Sequence, residues 1–283
     1  MRELMYDENS ALIAAILYVS IVLAIELGHL LGRRIQRFAT EPSKAHVNAI
    51  QASLLGVLAL LLGFTFSLSL QRFNDRSEAI VDEANAIGTA YLRAQLLPAS
   101  VRDDVKRSLR DHLDLRVHAG AVTLDDEADR QALLAKTNEN LDVVWRSARR
   151  AVELDPSPVP SGLFIQSLNE MIDAYGRRDA ALHRHVPELV LFLLYGTFIL
   201  TGIVLGYGAG VAGHRPSFAT YILVALIVVL AFIIIDLDRP RRGLIRVDQS
   251  SLHNLKTAVD AAESAADGEP APALPRTGVT GRQ

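Results

Sequence analysis

Two acids stand directly behind the last apolar block of this chain, in Asp236-Leu237-Asp238-Arg239-Pro240-Arg241-Arg242-Gly243. Arginines alone would make an ordinary membrane exit. Acids at that boundary are costly unless paired, so an arginine upstream, Arg72 or Arg76, is the expected partner. Other groups with chemical potential are scattered. Of the eight histidines only His183 and His185 are near neighbours, and two residues apart they face different sides of a helix, so no metal site is expected. Asp125, Asp126, Glu127 and Asp129 lack the glycine and spacing of a calcium loop; they suit the start of a helix, where the dipole favours acids. With no cysteine, thiol catalysis, disulfides and cysteine-ligated metals are excluded. No nucleophile elbow, phosphate loop or dinucleotide fingerprint occurs, so neither enzymatic activity nor a cofactor is expected.

The elements that must position these groups are set by two solvents. Half the residues are apolar and 22% are charged, but the two kinds are segregated: four apolar blocks, with charge between and after them. The blocks predict spans over 11–31, 49–70, 187–208 and 217–236. The second block has no charged residue and is roughly 33 Å long as a helix, about one hydrocarbon core. Backbone groups in lipid must be satisfied internally, so the blocks are helices; nothing alternates with period two. The first block ends in Gly32-Arg33-Arg34 rather than at a cleavage site, so it reads as a retained span and not a secretory signal. The expected fold is all-α, an integral membrane protein with four transmembrane helices in two pairs and a cytosolic helical domain between them.

The remaining segments are a terminal cytosolic stretch, 1–10, an external loop, 32–48, the middle domain, 71–186, and a short loop, 209–216. A juxtamembrane amphipathic segment, 237–260, precedes a tail, 261–283, rich in Ala, Gly, Pro and Glu and expected to be disordered. An even number of spans places both termini and the middle domain on one side. That side carries Arg2, Arg72, Arg76, Arg177, Arg178, Arg184, Arg239, Arg241, Arg242 and Arg246; the other has Arg33, Arg34, Arg37, Lys44 and Arg215. The excess predicts cytoplasmic termini and middle domain in a bacterial inner membrane, although the first loop alone argues the reverse. The net charge of -3 and the lack of a basic stripe give no sign of a nucleic-acid partner, and none is expected; the lipid bilayer is the expected one.

Within 71–186 four apolar stripes at helical spacing predict four helices. They are Ile80, Ala84, Ile87 and Tyr91, continuing the second span; Val101, Val105, Leu109 and Leu113; Leu134, Leu141, Trp145, Ala148 and Val152; and Phe164, Leu168, Met171, Tyr175 and Leu182. Pro98 and the run Pro156, Pro158 and Pro160 divide them. In the second span Ala52, Gly56, Ala59, Gly63 and Ser67 share one face, which suits close helix packing or a pore-lining surface. Thr65, Ser67 and Ser69 add hydroxyls. Leu60, Phe64, Leu68 and Arg72 step by four along a drifting face, which is consistent with an apolar constriction, with Arg72 and Arg76 as charges at its mouth, but does not require a pore. Glu26 and Glu188 lie at the ends of spans, where an acid is tolerated.

Two stretches resemble a known family. Leu61 to Phe73, running on through Asp82-Glu83-Ala84-Asn85-Ala86-Ile87-Gly88, and Asp236 to Ile245 together resemble bacterial bestrophin-like membrane proteins of unknown function, over nearly the whole chain. The likeness to bestrophins themselves is more distant. Those are pentameric anion channels whose second span lines a hydrophobic neck, and Leu62-Gly63-Phe64 and Arg72-Phe73 are similar to their pattern. The resemblance implies a homo-oligomer, a pentamer, with neck rings at Leu60 and Phe64. Gly56 departs from it, standing where a bulky apolar residue is expected. In animal bestrophins acids after the last span help bind calcium; here arginines surround Asp236 and Asp238, which argues against calcium gating. The expected function is an oligomeric membrane protein, an anion channel lined by the second span. The alternative is a membrane-anchored scaffold or sensor whose helical domain binds a protein partner.

Overall fold

The computed structural model describes residues 10–121, 127–157, 159–239 and 244–266, and these are almost wholly helical, with no strand among them. The helices are α1 Ser10–Ile35, α2 Glu41–Ala94, α3 Ala99–Ala121, α4 Glu127–Leu154, α5 Pro160–Leu182, α6 Glu188–Val211, α7 Phe218–Asp238 and α8 Ser250–Ala266. A 3-10 turn, Gln36–Phe38, follows α1. The helices α1, α2, α6 and α7 are each long and apolar enough to cross a membrane, in agreement with the four expected spans.

The first loop is shorter than expected. α1 runs on to Ile35 and α2 begins at Glu41, not Ala49. Helix is the economical way to satisfy backbone groups as the chain leaves lipid. Glu41 sits in the first turn of α2, where the dipole favours it, and pairs with Lys44 at 2.8 Å. α2 then continues for 54 residues, roughly 80 Å, without a break at the end of the apolar block. It holds no proline after its first turn that could stop it.

The chain divides into two compact units. The first is 1–76 with 181–247 and contains the apolar helices. Its core joins Leu17, Ile21 and Ile25 of α1, Leu58 and Leu62 of α2, Leu194 and Phe198 of α6, and Val224, Val228 and Ile234 of α7. α1 packs along α6, with α7 beside it. Glycines set the α1–α6 separation: a Cβ on Gly28 would run into the carbonyl of Ile203, and one on Gly206 into that of Ile25. Gly32 meets Tyr207 and Gly210 meets His29 in the same way. Two backbones can come this close only without side chains between them.

The second unit is 77–180 with 248–283. α3 packs against α4 and α8. The first two stripes are buried as expected: Ile80, Ala84, Ile87 and Tyr91, then Val101, Val105, Leu109 and Leu113. The third is rotated. Thr137, Val144, Ala148 and Ala151 are buried, while Trp145 is exposed. The fourth keeps Phe164, Leu168 and Met171 but continues through Ala174, Arg178 and Ala181 instead of Tyr175 and Leu182. α8 reaches Ala266, into the range expected to be disordered; Glu263 there accepts a hydrogen bond from Tyr91 at 2.9 Å and pairs with Lys106 and Arg110.

Candidate functional site

The face of α2 expected to do the work points away from its own unit. Leu58, Leu62, Thr65 and Ser69 are buried in the core. At about 100° per residue, Leu60 lies roughly 200° round the helix from Leu58. Leu60 is 58% exposed and Phe64 62%. Gly56, Gly63 and Ser67 are exposed on the same side. A Cβ added at Gly56 or Gly63 would meet nothing within 4 Å. The small-residue stripe therefore performs no helix packing inside this unit. That task falls to Gly28 and Gly32 against Gly202, Gly206 and Gly210, a four-residue spacing visible in the sequence that the sequence analysis did not single out. Thr65 donates to its own helix at the carbonyl of Leu61, 2.7 Å away, so this hydroxyl serves the backbone.

The two mouth charges part company. Arg72 is half-buried one turn beyond Leu68. Arg76 is only 2% exposed, and its guanidinium donates to four main-chain carbonyls: Ala181 at 3.2 Å, Leu237 at 3.2 Å, Arg184 at 2.7 Å and Asp238 at 3.0 Å. The Asp238 carboxylate stands 3.9 Å away. Arg76 is thus a clasp and not a mouth charge. The end of α7 exposes carbonyls that no helical N–H can reach, and the planar five-donor guanidinium satisfies them.

The acids after α7 belong to the same clasp. Asp238 accepts a hydrogen bond from the Val186 N–H at 2.9 Å, and His185 Nδ1 lies 3.2 Å from its carbonyl. Asp236 accepts from the N–H groups of Leu244 and Ile245 at 3.1 and 2.9 Å. Arg239, also buried, donates to Ser10 at 3.1 Å and ties the start of α1 to the end of α7. The expected pairing of an upstream arginine with these acids is found, as Arg76 with Asp238. Among the described residues no three His, Asp or Glu side chains are grouped to hold a metal. Pro240, Arg241 and Arg242 lie outside the described residues, as do Asp125 and Asp126. Glu26 accepts a hydrogen bond from Tyr221 at 2.9 Å.

The second unit holds a charge cluster that the sequence reading missed. Glu83 is fully buried between two guanidiniums: Arg116 Nε donates to one carboxylate oxygen at 2.6 Å and Arg178 to the other. Arg178 also donates to Gln249 at 2.9 Å, and Arg116 lies over the Tyr175 ring, 4.6 Å from its centre. Burial pushes the Glu83 carboxyl up, but the charges and hydrogen bonds of Arg116 and Arg178 together outweigh it and hold the carboxyl below the usual range. Burial likewise draws Arg178 down, against the pull of Glu83. His112 nearby is driven down to about 4, by burial first and then by the charge of Arg116. A signal existed. Glu83 falls on the Ile80–Ile87 stripe, Arg116 on the Leu109–Leu113 stripe and Arg178 seven residues after Met171, so three apolar stripes each carry one charge. Charges at such positions are almost never buried unless paired. A cleft of about 660 Å³ opens between α3 and α4 in the same unit, lined by Asp111, Asp114, His118, Lys136 and Asn140 among others.

Three comparisons with known proteins bear on this arrangement. Residues 19–252 match the family model described as Bestrophin-like domain. A solved bacterial bestrophin homolog from Klebsiella pneumoniae, in a point-mutant form, is 19% identical with a TM-score of 0.63, over 90% of this chain and 98% of its own. The same organism's homolog solved by zinc phasing is 18% identical with a TM-score of 0.59, over 89% and 98%. At these identities the likeness is one of fold. No curated protein matches the chain.

Proposed function

Because this chain belongs to the bestrophin-like family, we propose that it is an anion channel formed by several copies, with α2 of each copy lining a central pore. The observation that carries this reading is the exposure of Leu60 and Phe64 on the side of α2 opposite its packed face. Large apolar groups one helical turn apart, turned away from the subunit core, fit two successive rings of a hydrophobic neck when copies are arranged about an axis. Gly56 and Gly63 are open on that side and leave room for a neighbouring α2. Arg72 follows the neck and supplies positive charge at its end, which favours anions by raising their local concentration. Arg76 has no part in that role, being committed to its carbonyls. Asp236, Asp238 and Arg239 hold the base of the spans together, and Ser67 stands on the pore side between Phe64 and Arg72. By family resemblance the assembly is a pentamer, and the arginine excess puts the termini and the middle domain on the cytoplasmic side of a bacterial inner membrane.

The test has two steps. Purified protein in detergent is expected to give particles with rotational symmetry; a monomer refutes the pore. Proteoliposomes then compare chloride flux of the parent with Phe64→Ala. A higher flux in the variant is expected, since a smaller ring wets more easily, and equal flux in both refutes the neck. The alternative, a membrane-anchored scaffold or sensor, has the α3–α4 cleft in its favour. It predicts no flux in parent or variant.

A further inference from the structure

We propose that the end of the first unit formed by the α1–α2 turn and the α6–α7 turn is a docking surface for anionic phospholipid headgroups. The two turns adjoin. Gly213, with φ of 84°, lies so close to Gln36 that a Cβ there would meet the Gln36 amide. Arg33 and Arg34 end α1, Arg37 is in the 3-10 turn and Arg215 is in the opposite turn, and all four are exposed. None of the four side chains has a hydrogen bond to an acid or an ion pair among the described residues. The acids flanking this segment are already engaged: Glu41 pairs with Lys44, and Glu26 accepts a hydrogen bond from Tyr221. Four guanidiniums thus gather at one end of an apolar bundle, none of them paired with an acid among the described residues.

The flanking groups point to lipid rather than to a soluble anion. Phe38 is 81% exposed and Phe218 80%, with Ile35 also exposed. Rings and aliphatic chains at the level where α1, α6 and α7 leave hydrocarbon are favourable at an acyl–headgroup boundary and unfavourable in free water. Guanidinium is a planar fork that matches a phosphate diester with two parallel hydrogen bonds. Phosphate beside acyl chains is what an anionic phospholipid offers and what inorganic phosphate lacks. A zwitterionic headgroup offers the same phosphate with its own cation attached, so discrimination between the two is the signature of the surface.

The full chain is reconstituted into vesicles of mixed phosphatidylcholine and phosphatidylglycerol, re-extracted in mild detergent, and its retained lipid measured by mass spectrometry. Enrichment of phosphatidylglycerol is expected in the parent. It should fall only partway when all four arginines become lysine, which keeps the charge but loses the fork, and fall by roughly tenfold or more when all four become glutamine. The result that overturns the proposal is equal enrichment in parent and glutamine variant. Inorganic phosphate added during extraction should displace little of the lipid; full displacement would make this a simple anion site and overturn it also. Should the fourfold glutamine variant fail to insert, Arg34→Gln with Arg37→Gln leaves two arginines in place. That pair must lower enrichment partway, and parent-like retention refutes the surface.

Discussion

Arg76 shows how a charged side chain can be structural at a boundary where charge usually signals transport. It bridges four carbonyls contributed by the last turn of α5, the α5–α6 connection and the end of α7. Arg76→Met would leave those carbonyls buried without donors. Removing one partner from a buried polar cluster costs about 3 kcal/mol, so a clear fall in the melting temperature of the detergent-purified protein is expected. Arg76→Lys should recover little of it, because an ammonium has three donors at one point and cannot span the set. Full rescue by lysine would mean that charge alone matters there. Arg72 is the contrasting case: Arg72→Gln should leave melting within about 0.5 kcal/mol of the parent while lowering anion flux.

Among the helices, glycine carries two meanings that sequence alone does not separate. On α1 and α6 it is a contact, since Gly206 faces the carbonyl of Ile25 and Gly28 that of Ile203. Gly206→Ala pushes a methyl into main-chain atoms that cannot rotate away, and a loss of about 2 kcal/mol or more is expected. On α2, Gly63 faces open space within the unit. Gly63→Ala should leave unfolding of the unit within about 0.5 kcal/mol of the parent, and any effect should be on assembly or flux. Thermal unfolding read beside particle size tells the two apart. A shared fall in unfolding temperature for both substitutions would contradict the packing described. The length of α2 matters too: its residues 41–76 belong to the first unit and 77–94 to the second.

For the molecule as a whole, the buried groups of the second unit predict sensitivity to acid. His112 has a folded value of about 4 against an ordinary 6.5, so its neutral form is favoured in the folded state. The unfolded chain takes up that proton first as pH falls. Stability is therefore complete above about 6.5 and is lost progressively down to about 4, by up to about 3 kcal/mol. The lowered Glu83 carboxyl acts in the same direction further down: its contribution is present above 4.5 and is lost as pH falls through its lower folded value. His112→Phe keeps an aromatic ring against Tyr175 and removes the titration, so its melting temperature should vary less between pH 7 and 4 than the parent's. Parallel curves would show that His112 does not govern acid sensitivity. The Glu83 cluster ties α2, α3 and α5 together through one carboxylate. Loss of that carboxylate would loosen the whole unit rather than one helix.

The spans were legible because hydrocarbon imposes a one-dimensional rule: a block of apolar residues long enough to cross must be a helix, whatever it packs against. The first two stripes of the middle domain were legible for a similar reason, as apolar residues at helical spacing need burial and Ile80, Ile87, Val105 and Leu109 find it. The family resemblance was likewise carried by local strings of residues, and the match over 19–252 agrees with it. Tertiary structure alone decided which neighbour each side chain meets. Trp145 faces outward while Val144, Ala148 and Ala151 take the buried face of α4. Arg76 became a clasp while Arg72, one turn earlier, did not, because only Arg76 lies beside carbonyls from segments more than a hundred residues away. Pairing of distant groups depends on how helices cross in three dimensions, and periodicity along one chain carries only the face each residue occupies, not what stands opposite it.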